Sequence, residues 1–91
     1  MGFTLYHSDM LPGLPGKMRF DLDGITVGEL FTLLANQYGD QALTEVLDKS
    51  GKLHREAMVV INGSILRQPL VLSTVIPAES EVLVTVLMAG G

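Results

Sequence analysis

The sequence predicts an α+β domain in which a mixed sheet of four to five strands packs on one main helix. Three observations lead to this fold class: an alternating segment near the start, one amphipathic segment with helical spacing, and several strand-like segments after it. Strands and helices do not alternate regularly, which favours a sheet-and-helix layer over an α/β fold. With 91 residues and no internal repeat or linker, residues 1–91 are expected to form a single domain.

The first predicted elements are two strands of a hairpin. Residues 3–7 alternate between apolar and polar side chains, as in a half-buried strand. Residues 8–16 contain two Pro-Gly pairs and are expected to form a wide loop. Residues 18–22 alternate again, and Asp23-Gly24 marks a turn after them.

A helix is predicted to begin at Thr26. Thr26 and Glu29 have the spacing of a capping box, in which each side chain accepts a hydrogen bond from the other residue's backbone N–H. Gly39 is expected to end the helix as a left-handed cap, and Asp40 to cap a second, shorter helix. The apolar residues expected on the buried faces are Leu30, Phe31, Leu33, Leu34, Ala35 and Tyr38 in the first helix and Leu43, Val46 and Leu47 in the second.

The second half of the chain is predicted to be mainly strand. Residues 57–61 form a continuous apolar run, expected to be a central or next-to-central strand buried on both faces, and Asn62-Gly63 predicts a tight turn after it. A short return strand is expected over residues 64–66 and the final strand over residues 81–88. The connection between them, residues 68–77, is expected to be anchored by Leu70, Leu72, Val75 and Ile76.

Composition excludes several classes of function. The formal net charge is −4 and the six basic residues are scattered, which argues against a nucleic-acid or anionic membrane surface. The absence of cysteine excludes a disulfide framework, a thiolate metal site and a cysteine nucleophile. His7 and His54 are far apart in sequence, so no metal site is expected. No apolar run has the length of a membrane span, and a cytoplasmic protein is expected.

The predicted order of elements is that of a β-grasp roll, and four segments make a resemblance specific. These segments are Thr-Val-Gly-Glu-Leu at 26–30, Val-Val-Ile-Asn-Gly at 59–63, Glu-Ser-Glu-Val at 79–82 and the terminal Gly90-Gly91. Together they resemble the ubiquitin-like sulfur-carrier family of the MoaD/ThiS type, which includes the small subunit of molybdopterin synthase and the thiamin-pathway sulfur carrier. The resemblance extends over nearly the whole chain.

The resemblance implies a carrier that acts with partner enzymes and is not itself an enzyme. An E1-like adenylating enzyme would use ATP to activate the Gly91 carboxylate, a sulfur donor would convert it to a thiocarboxylate, and an acceptor enzyme, such as the large subunit of molybdopterin synthase, would receive the sulfur. No cofactor or metal bound by the carrier itself is implied. Gly90 would give the tail conformational freedom, and Leu87, Met88 and Ala89 would lie at the docking site for the partner enzymes.

Three interpretations remain open at this point. The first is a sulfur carrier for molybdopterin, the molybdenum-cofactor precursor. The second is a carrier for thiamin, cysteine or tungsten-cofactor synthesis, or a ubiquitin-like protein modifier. The third is a non-catalytic β-grasp interaction domain with an inert tail, because two glycines at a chain end are also typical of a frayed terminus.

Overall fold

In the part of the chain that the structure describes, five strands form one mixed sheet that packs on one main helix. A computed structural model describes residues 2–66 and 70–86. Within them, the strands are β1 (Phe3–His7), β2 (Lys17–Phe20), β3 (Ala57–Ile61), β4 (Ser64–Ile65) and β5 (Ser80–Val86), the main helix is α1 (Val27–Tyr38), and two short 3-10 helices cover Asp40–Leu43 and Val71–Ser73. The predicted fold class is confirmed.

The last strand in sequence occupies the centre of the sheet. The strand order is β2-β1-β5-β3-β4. The β1 and β5 strands run parallel, with Leu5 opposite Val82, whereas the other neighbouring strands run antiparallel. Because β1 and β5 are distant in sequence, the centre of the sheet forms only when the two ends of the domain meet.

The core lies between α1 and one face of the sheet. Alternate residues of the three inner strands point to this face, as the period of two in a strand requires. They pack with the buried stripe of α1 and with several loop residues in a single apolar cluster. Its members from the strands and α1 are Phe3, Leu5, Ala57, Val59, Ile61, Val82, Val84, Val27, Leu30, Phe31 and Leu34.

The start of α1 agrees with the predicted capping box. The Glu29 N–H donates to Thr26 Oγ1 at 3.1 Å, and the Thr26 N–H donates to Glu29 Oε1 at 2.8 Å. Each side chain thereby satisfies a backbone donor that the first helical turn leaves without a partner.

The end of α1 differs from the prediction at two residues. Tyr38 is 49% exposed, because the buried stripe ends with Leu34, one turn before the helix does. Gly39 has the predicted positive φ of 92°, but its ψ of 155° is extended and not left-handed helical. Its N–H still donates to the Ala35 carbonyl at 2.8 Å and closes the last turn.

The predicted second helix is shorter than expected. It is a 3-10 helix that ends at Leu43, and turns follow it through Val46. Asp40 is its first residue and not its cap, because Gly39 holds the cap position, and no side chain of the described residues caps this helix. Leu43 and Val46 are buried, and Leu47 is partly buried, so these three side chains still contact the core.

The β3 strand lies next to the edge of the sheet and has one fully buried face. Val59 and Ile61 are buried, whereas Met58 and Val60 on the opposite face are half-buried, so the expectation of burial on both faces was wrong. The tight turn after β3 is confirmed: Asn62 and Gly63 both have positive φ, 52° and 85°, and Ile61 pairs with Ser64 across them.

The connection before β5 is anchored by only part of the predicted set: Ile76 is buried and Leu72 is partly buried against the core, as predicted. Leu70 and Val75 are 67% and 54% exposed, whereas Val71 and Ile76 are buried. Val75 forms an isolated antiparallel bridge with Thr26, and the Ile76 N–H donates to the Ile25 carbonyl. Since side chains alternate along such a paired segment, burying Ile76 turns Val75 outward.

Candidate functional site

The predicted functional residues all lie beyond the end of β5. Leu87, Met88, Ala89, Gly90 and Gly91 are outside the described residues, so their roles stay predictions. The structure instead describes the strand that leads to them. Its last described residue, Val86, is 36% exposed.

The end of β5 is held on both sides by neighbouring chain segments. On one side, Ser8 continues the pairing of β1: its N–H donates to the Val84 carbonyl at 3.2 Å, and its Oγ lies 2.7 Å from Thr85 Oγ1. On the other side, Val86 pairs with Ala57 at the start of β3. The point from which residues 87–91 continue is therefore fixed by two strands.

The loop between β1 and β2 is tied down beside this point. The His7 ring Nε2 lies 2.8 Å from the Pro15 carbonyl oxygen, and the His7 N–H donates to the Gly16 carbonyl at 3.2 Å. Met10 and Leu11 in the same loop are buried. These contacts hold the loop in place next to the end of β5.

A row of apolar side chains crosses the sheet on the face opposite α1. Tyr6, Leu83, Val60 and Ile65 lie opposite one another in register on β1, β5, β3 and β4. Tyr6, Leu83 and Val60 are half-buried, and Ile65 is 61% exposed. We call these four residues the open-face row.

Polar side chains border the open-face row. Lys17 pairs with Tyr6 at the β2 end of the row, and its Nζ lies 5.9 Å from the centre of the Tyr6 ring. The neighbouring row carries Arg19, Thr4 and Glu81. An apolar centre with a charged border is the usual composition of a protein-binding surface.

A second concave surface lies between α1 and residues 40–54. This groove has a volume of about 750 Å³, and its described lining includes Phe31, Ala35 and Leu47 on the floor and Asp40 and Lys49 on the rim. All of the described lining residues belong to α1 or to residues 40–54, and none belongs to a described strand. The groove is thus separate from the open-face row.

Residues 48–52 form a loop at one side of this groove, and the Asp48 carboxylate holds the loop in its conformation. Asp48 Oδ1 accepts hydrogen bonds from the Ser50 hydroxyl at 2.7 Å, the Ser50 N–H at 2.9 Å and the Lys52 N–H at 3.0 Å. These donors, the Ser50 hydroxyl first, hold the pKa of Asp48 below its ordinary value, because they stabilise the charged form.

Comparison with solved structures places this architecture in a known fold. SAMP1 from Haloferax volcanii matches with a TM-score of 0.73 at 22% identity, with 100% of each chain covered. Urm1 from Trypanosoma brucei matches with a TM-score of 0.72 at 18% identity, covering 99% of this chain and 95% of that one. Small archaeal modifier protein 1 from Methanosarcina acetivorans matches with a TM-score of 0.67 at 20% identity, covering 98% and 95%. The fold is the ubiquitin-like β-grasp.

The likeness to these β-grasp proteins lies in the three-dimensional structure. No protein-family model and no curated protein matches the sequence. Within residues 2–66 and 70–86, no helix of the β-grasp domain is both long and apolar enough to cross a membrane.

The two histidines of the β-grasp domain take part in loop contacts. His7 contacts the loop after β1, as described above, and His54 Nε2 lies 3.0 Å from the Thr44 carbonyl oxygen. Among the described residues, no three His, Cys, Asp or Glu side chains are grouped as ligands for a metal ion.

Most of the open-face row was not marked by the sequence pattern. One signal was available for Leu83: Val82 and Leu83 are consecutive apolar residues on opposite faces of β5, so both faces of that strand need cover. Tyr6, Val60 and Ile65 join Leu83 only through the strand register, which links segments that are distant in sequence. The strands themselves were predictable from the sequence, but the pairing between them was not.

Proposed function

We propose that this chain is a ubiquitin-like sulfur carrier whose C-terminal Gly91 is converted to a thiocarboxylate. The observation that carries this proposal is the position of β5: the central strand of the β-grasp sheet is the one that leads directly to Ala89-Gly90-Gly91. A rigid strand held on both sides would give the partner enzymes a fixed starting point for the tail. The fold likeness over the whole chain supports the same interpretation.

The proposed chemistry takes place in a partner enzyme and uses only the carboxylate of the carrier. In the first step, a Gly91 carboxylate oxygen attacks the α-phosphorus of ATP, which gives an acyl adenylate and pyrophosphate. In the second step, a sulfur donor attacks the acyl carbon and AMP leaves. The donor supplies sulfur at the oxidation level of hydrosulfide, so the C–S bond forms as the bond from the acyl carbon to AMP breaks, and the carrier ends in a thiocarboxylate without an oxidant or reductant. Activation is necessary because a free carboxylate is a poor electrophile, whereas AMP is a good leaving group.

The tail residues have distinct roles in this proposal. Gly90 and Gly91 lack a Cβ, so they would fit a narrow channel that leads to the nucleotide of the E1-like adenylating enzyme. Leu87, Met88 and Ala89 would bind near the mouth of that channel. The open-face row would extend this contact over the sheet, since an interface needs a buried apolar centre in addition to a threaded tail.

The acceptor we propose is the large subunit of molybdopterin synthase, with the carrier as the small subunit. Carriers of the same design for thiamin, cysteine or tungsten-cofactor synthesis are the alternatives. All of these routes share the activation step and the cytoplasmic supply of ATP, and they differ in the acceptor enzyme.

A protein modifier is a second candidate function, favoured by the names of the matched structures. Two of the three structures described above are of SAMP1, small archaeal modifier protein 1. In a modifier, the activated Gly91 acyl group would pass to an amine of a target protein instead of a sulfur donor. Both functions require the same free carboxylate and the same kind of activating enzyme.

Intact mass spectrometry tests the sulfur-carrier proposal. The chain is incubated with ATP, the E1-like enzyme and a sulfur donor. The expected result is a mass gain equal to the exchange of one oxygen for sulfur, which disappears without ATP and in a chain that lacks Gly91. An amide-linked adduct with a target protein would support the modifier instead. If neither reaction occurs, the proposal is overturned, and an interaction domain with an inert tail is the remaining interpretation.

A further inference from the structure

The turn between β3 and β4 contains a dipeptide with its own chemical reactivity. Asn62 and Gly63 are both exposed. Gly63 has no side chain to shield its backbone nitrogen, so that nitrogen can approach the side-chain amide of the preceding asparagine more closely than in other dipeptides. An asparagine followed by glycine is therefore a potential deamidation site.

The fold holds the side chain of Asn62 at both of its polar atoms. Asn62 Oδ1 accepts from the Glu81 N–H at 2.9 Å, and Asn62 Nδ2 donates to Ser80 Oγ at 3.2 Å. The Asn62 N–H also donates to the Glu81 carbonyl at 2.9 Å. The amide group is thereby directed toward the start of β5 and cannot turn toward Gly63 without breaking both side-chain hydrogen bonds.

The partner of Nδ2 is itself fixed in position. Ser80 is 2% exposed, and its hydroxyl donates to the Pro77 carbonyl at 2.6 Å, which leaves its oxygen lone pairs to accept from Asn62. Since the Ser80 hydroxyl hydrogen is already used, this contact requires a donor at Asn62. An amide supplies that donor, whereas an ionised carboxylate does not.

We propose that Asn62-Gly63 is a deamidation site that the folded β-grasp domain keeps slow and that opening of the β3–β4 turn releases. The Gly63 nitrogen attacks the side-chain carbonyl carbon of Asn62, and the Nδ2 amino group leaves as ammonia with the Gly63 amide proton. Solvent water then opens the resulting cyclic imide at either carbonyl. The products are an aspartate or an isoaspartate at position 62, and no oxidant or reductant takes part.

The reaction would damage the same contacts that restrain it. The new carboxylate adds one negative charge to a net charge of −4, in contact with a segment that already carries Glu79 and Glu81. The carboxylate has no hydrogen to donate, so the hydrogen bond from Asn62 Nδ2 to Ser80 Oγ is replaced by two acceptors that face each other. In the isoaspartate form, the turn gains a backbone atom, which does not fit a hairpin connection of two residues.

Peptide mapping by mass spectrometry tests this inference on the intact chain. The folded protein and the protein unfolded in urea are incubated at mildly alkaline pH, and conversion at Asn62 is followed over time. The expected rate is roughly tenfold or more higher in urea, since the amide must leave its native partners before it reacts. Equal rates in the folded and unfolded chains would overturn the proposal.

Ser80→Ala separates the local restraint from overall stability. This variant removes the acceptor of Asn62 Nδ2 but keeps the Asn62-Gly63 dipeptide, so deamidation of the folded protein should accelerate several-fold while the rate in urea stays unchanged. Thr26→Ala serves as the control, because it weakens the cap of α1 and leaves the turn intact. The two variants are compared under conditions that give them the same free energy of unfolding. If Ser80→Ala then deamidates no faster than Thr26→Ala, the Asn62–Ser80 contact does not restrain the site.

Discussion

Ile65 of β4 and Val60 of β3 lie directly opposite each other on the face of the sheet that α1 leaves open. Val60 is half-buried, whereas Ile65 is 61% exposed. Ile65 is thus the member of the open-face row that can be changed with the least damage to the fold. Leu70 offers a matched control, because it is a 67% exposed aliphatic residue that is not part of the row.

An Ile65→Asp substitution should weaken binding to the activating enzyme. Placing a charge in the apolar centre of an interface leaves that charge without water, so we expect a loss of about tenfold in affinity. Leu70→Asp should bind as the unchanged protein does. Titration calorimetry with the E1-like enzyme measures both, and thermal melts check that both variants are folded. Equal affinities for the two variants would remove the open-face row from the binding surface.

Gly90→Val should slow activation without changing the fold. A β-branched side chain widens the tail and restricts its backbone, so kcat/KM for thiocarboxylate formation should fall by about tenfold or more. Gly16→Val is the matched control: a Cβ at Gly16 has no neighbour within 4 Å. A Gly90→Val protein that is activated as fast as Gly16→Val would show that the tail does not enter a narrow channel.

Gly2→Ala should strongly destabilise the domain. Gly2 has a φ of +113°, and a Cβ at this position would overlap the Phe20 carbonyl oxygen of β2. Backbone strain and the overlap act together, and we expect a loss of about 3 kcal/mol or more in the free energy of unfolding.

Gly13→Ala separates the two causes of the Gly2 effect. Gly13 also has a positive φ, +84°, but a Cβ there would have no neighbour within 4 Å. Its substitution should cost only about 1 kcal/mol, from backbone strain alone. Urea denaturation measures both variants, and equal losses would mean that Phe20 moves aside without cost.

Thr26→Ala should destabilise the domain by about 1 kcal/mol, because the Glu29 N–H would lose its side-chain acceptor. Thr26→Ser keeps the hydroxyl and should recover most of this loss. Urea denaturation again provides the measurement. If both variants are equally destabilised, the methyl group of Thr26 matters and the capping hydrogen bond does not.

Asp48 should make the stability of the domain depend on pH in the acidic range. Its pKa is lowered in the folded state, chiefly by the hydrogen bond from the Ser50 hydroxyl and then by the Lys52 N–H. A carboxylate of this kind stabilises the fold above its unfolded pKa of about 3.9, and the contribution disappears as the pH falls through the lower folded value. The difference in free energy of unfolding between the unchanged protein and Asp48→Asn should therefore be constant near neutral pH and shrink below pH ~4. A difference that stays constant down to pH ~2 would contradict this assignment.

Features with a local cause were predictable from the sequence. The Thr26–Glu29 capping box and the Asn62-Gly63 turn each depend on a few consecutive residues, and both are present as predicted. Helix and strand order followed from hydrophobic periodicity, which is also local. These features together sufficed for the β-grasp fold.

Features that depend on distant segments were predicted less well. Tyr38 has the correct spacing for the buried face of α1, yet it is exposed, because the buried stripe of the helix ends with Leu34. Leu70 and Val75 were expected inside and lie outside. For Val75, the cause is the pairing of residues 74–76 with residues 25–27, which sets which side chains of that segment point inward. The open-face row was missed for the same reason. The roles of residues 87–91 come from the sequence resemblance alone, and they stay predictions.

The parallel pairing of β1 with β5 also determines how the domain responds to mechanical force. In a parallel pair, Phe3 at the start of β1 and Val86 at the end of β5 lie at opposite ends of the ladder. A partner that pulls on the tail while the amino-terminal strand is held would load all the hydrogen bonds between β1 and β5 at once, in shear, and could not peel them apart one by one. In the proposed function, this geometry would keep β5 paired with β1 while an enzyme holds the tail under tension.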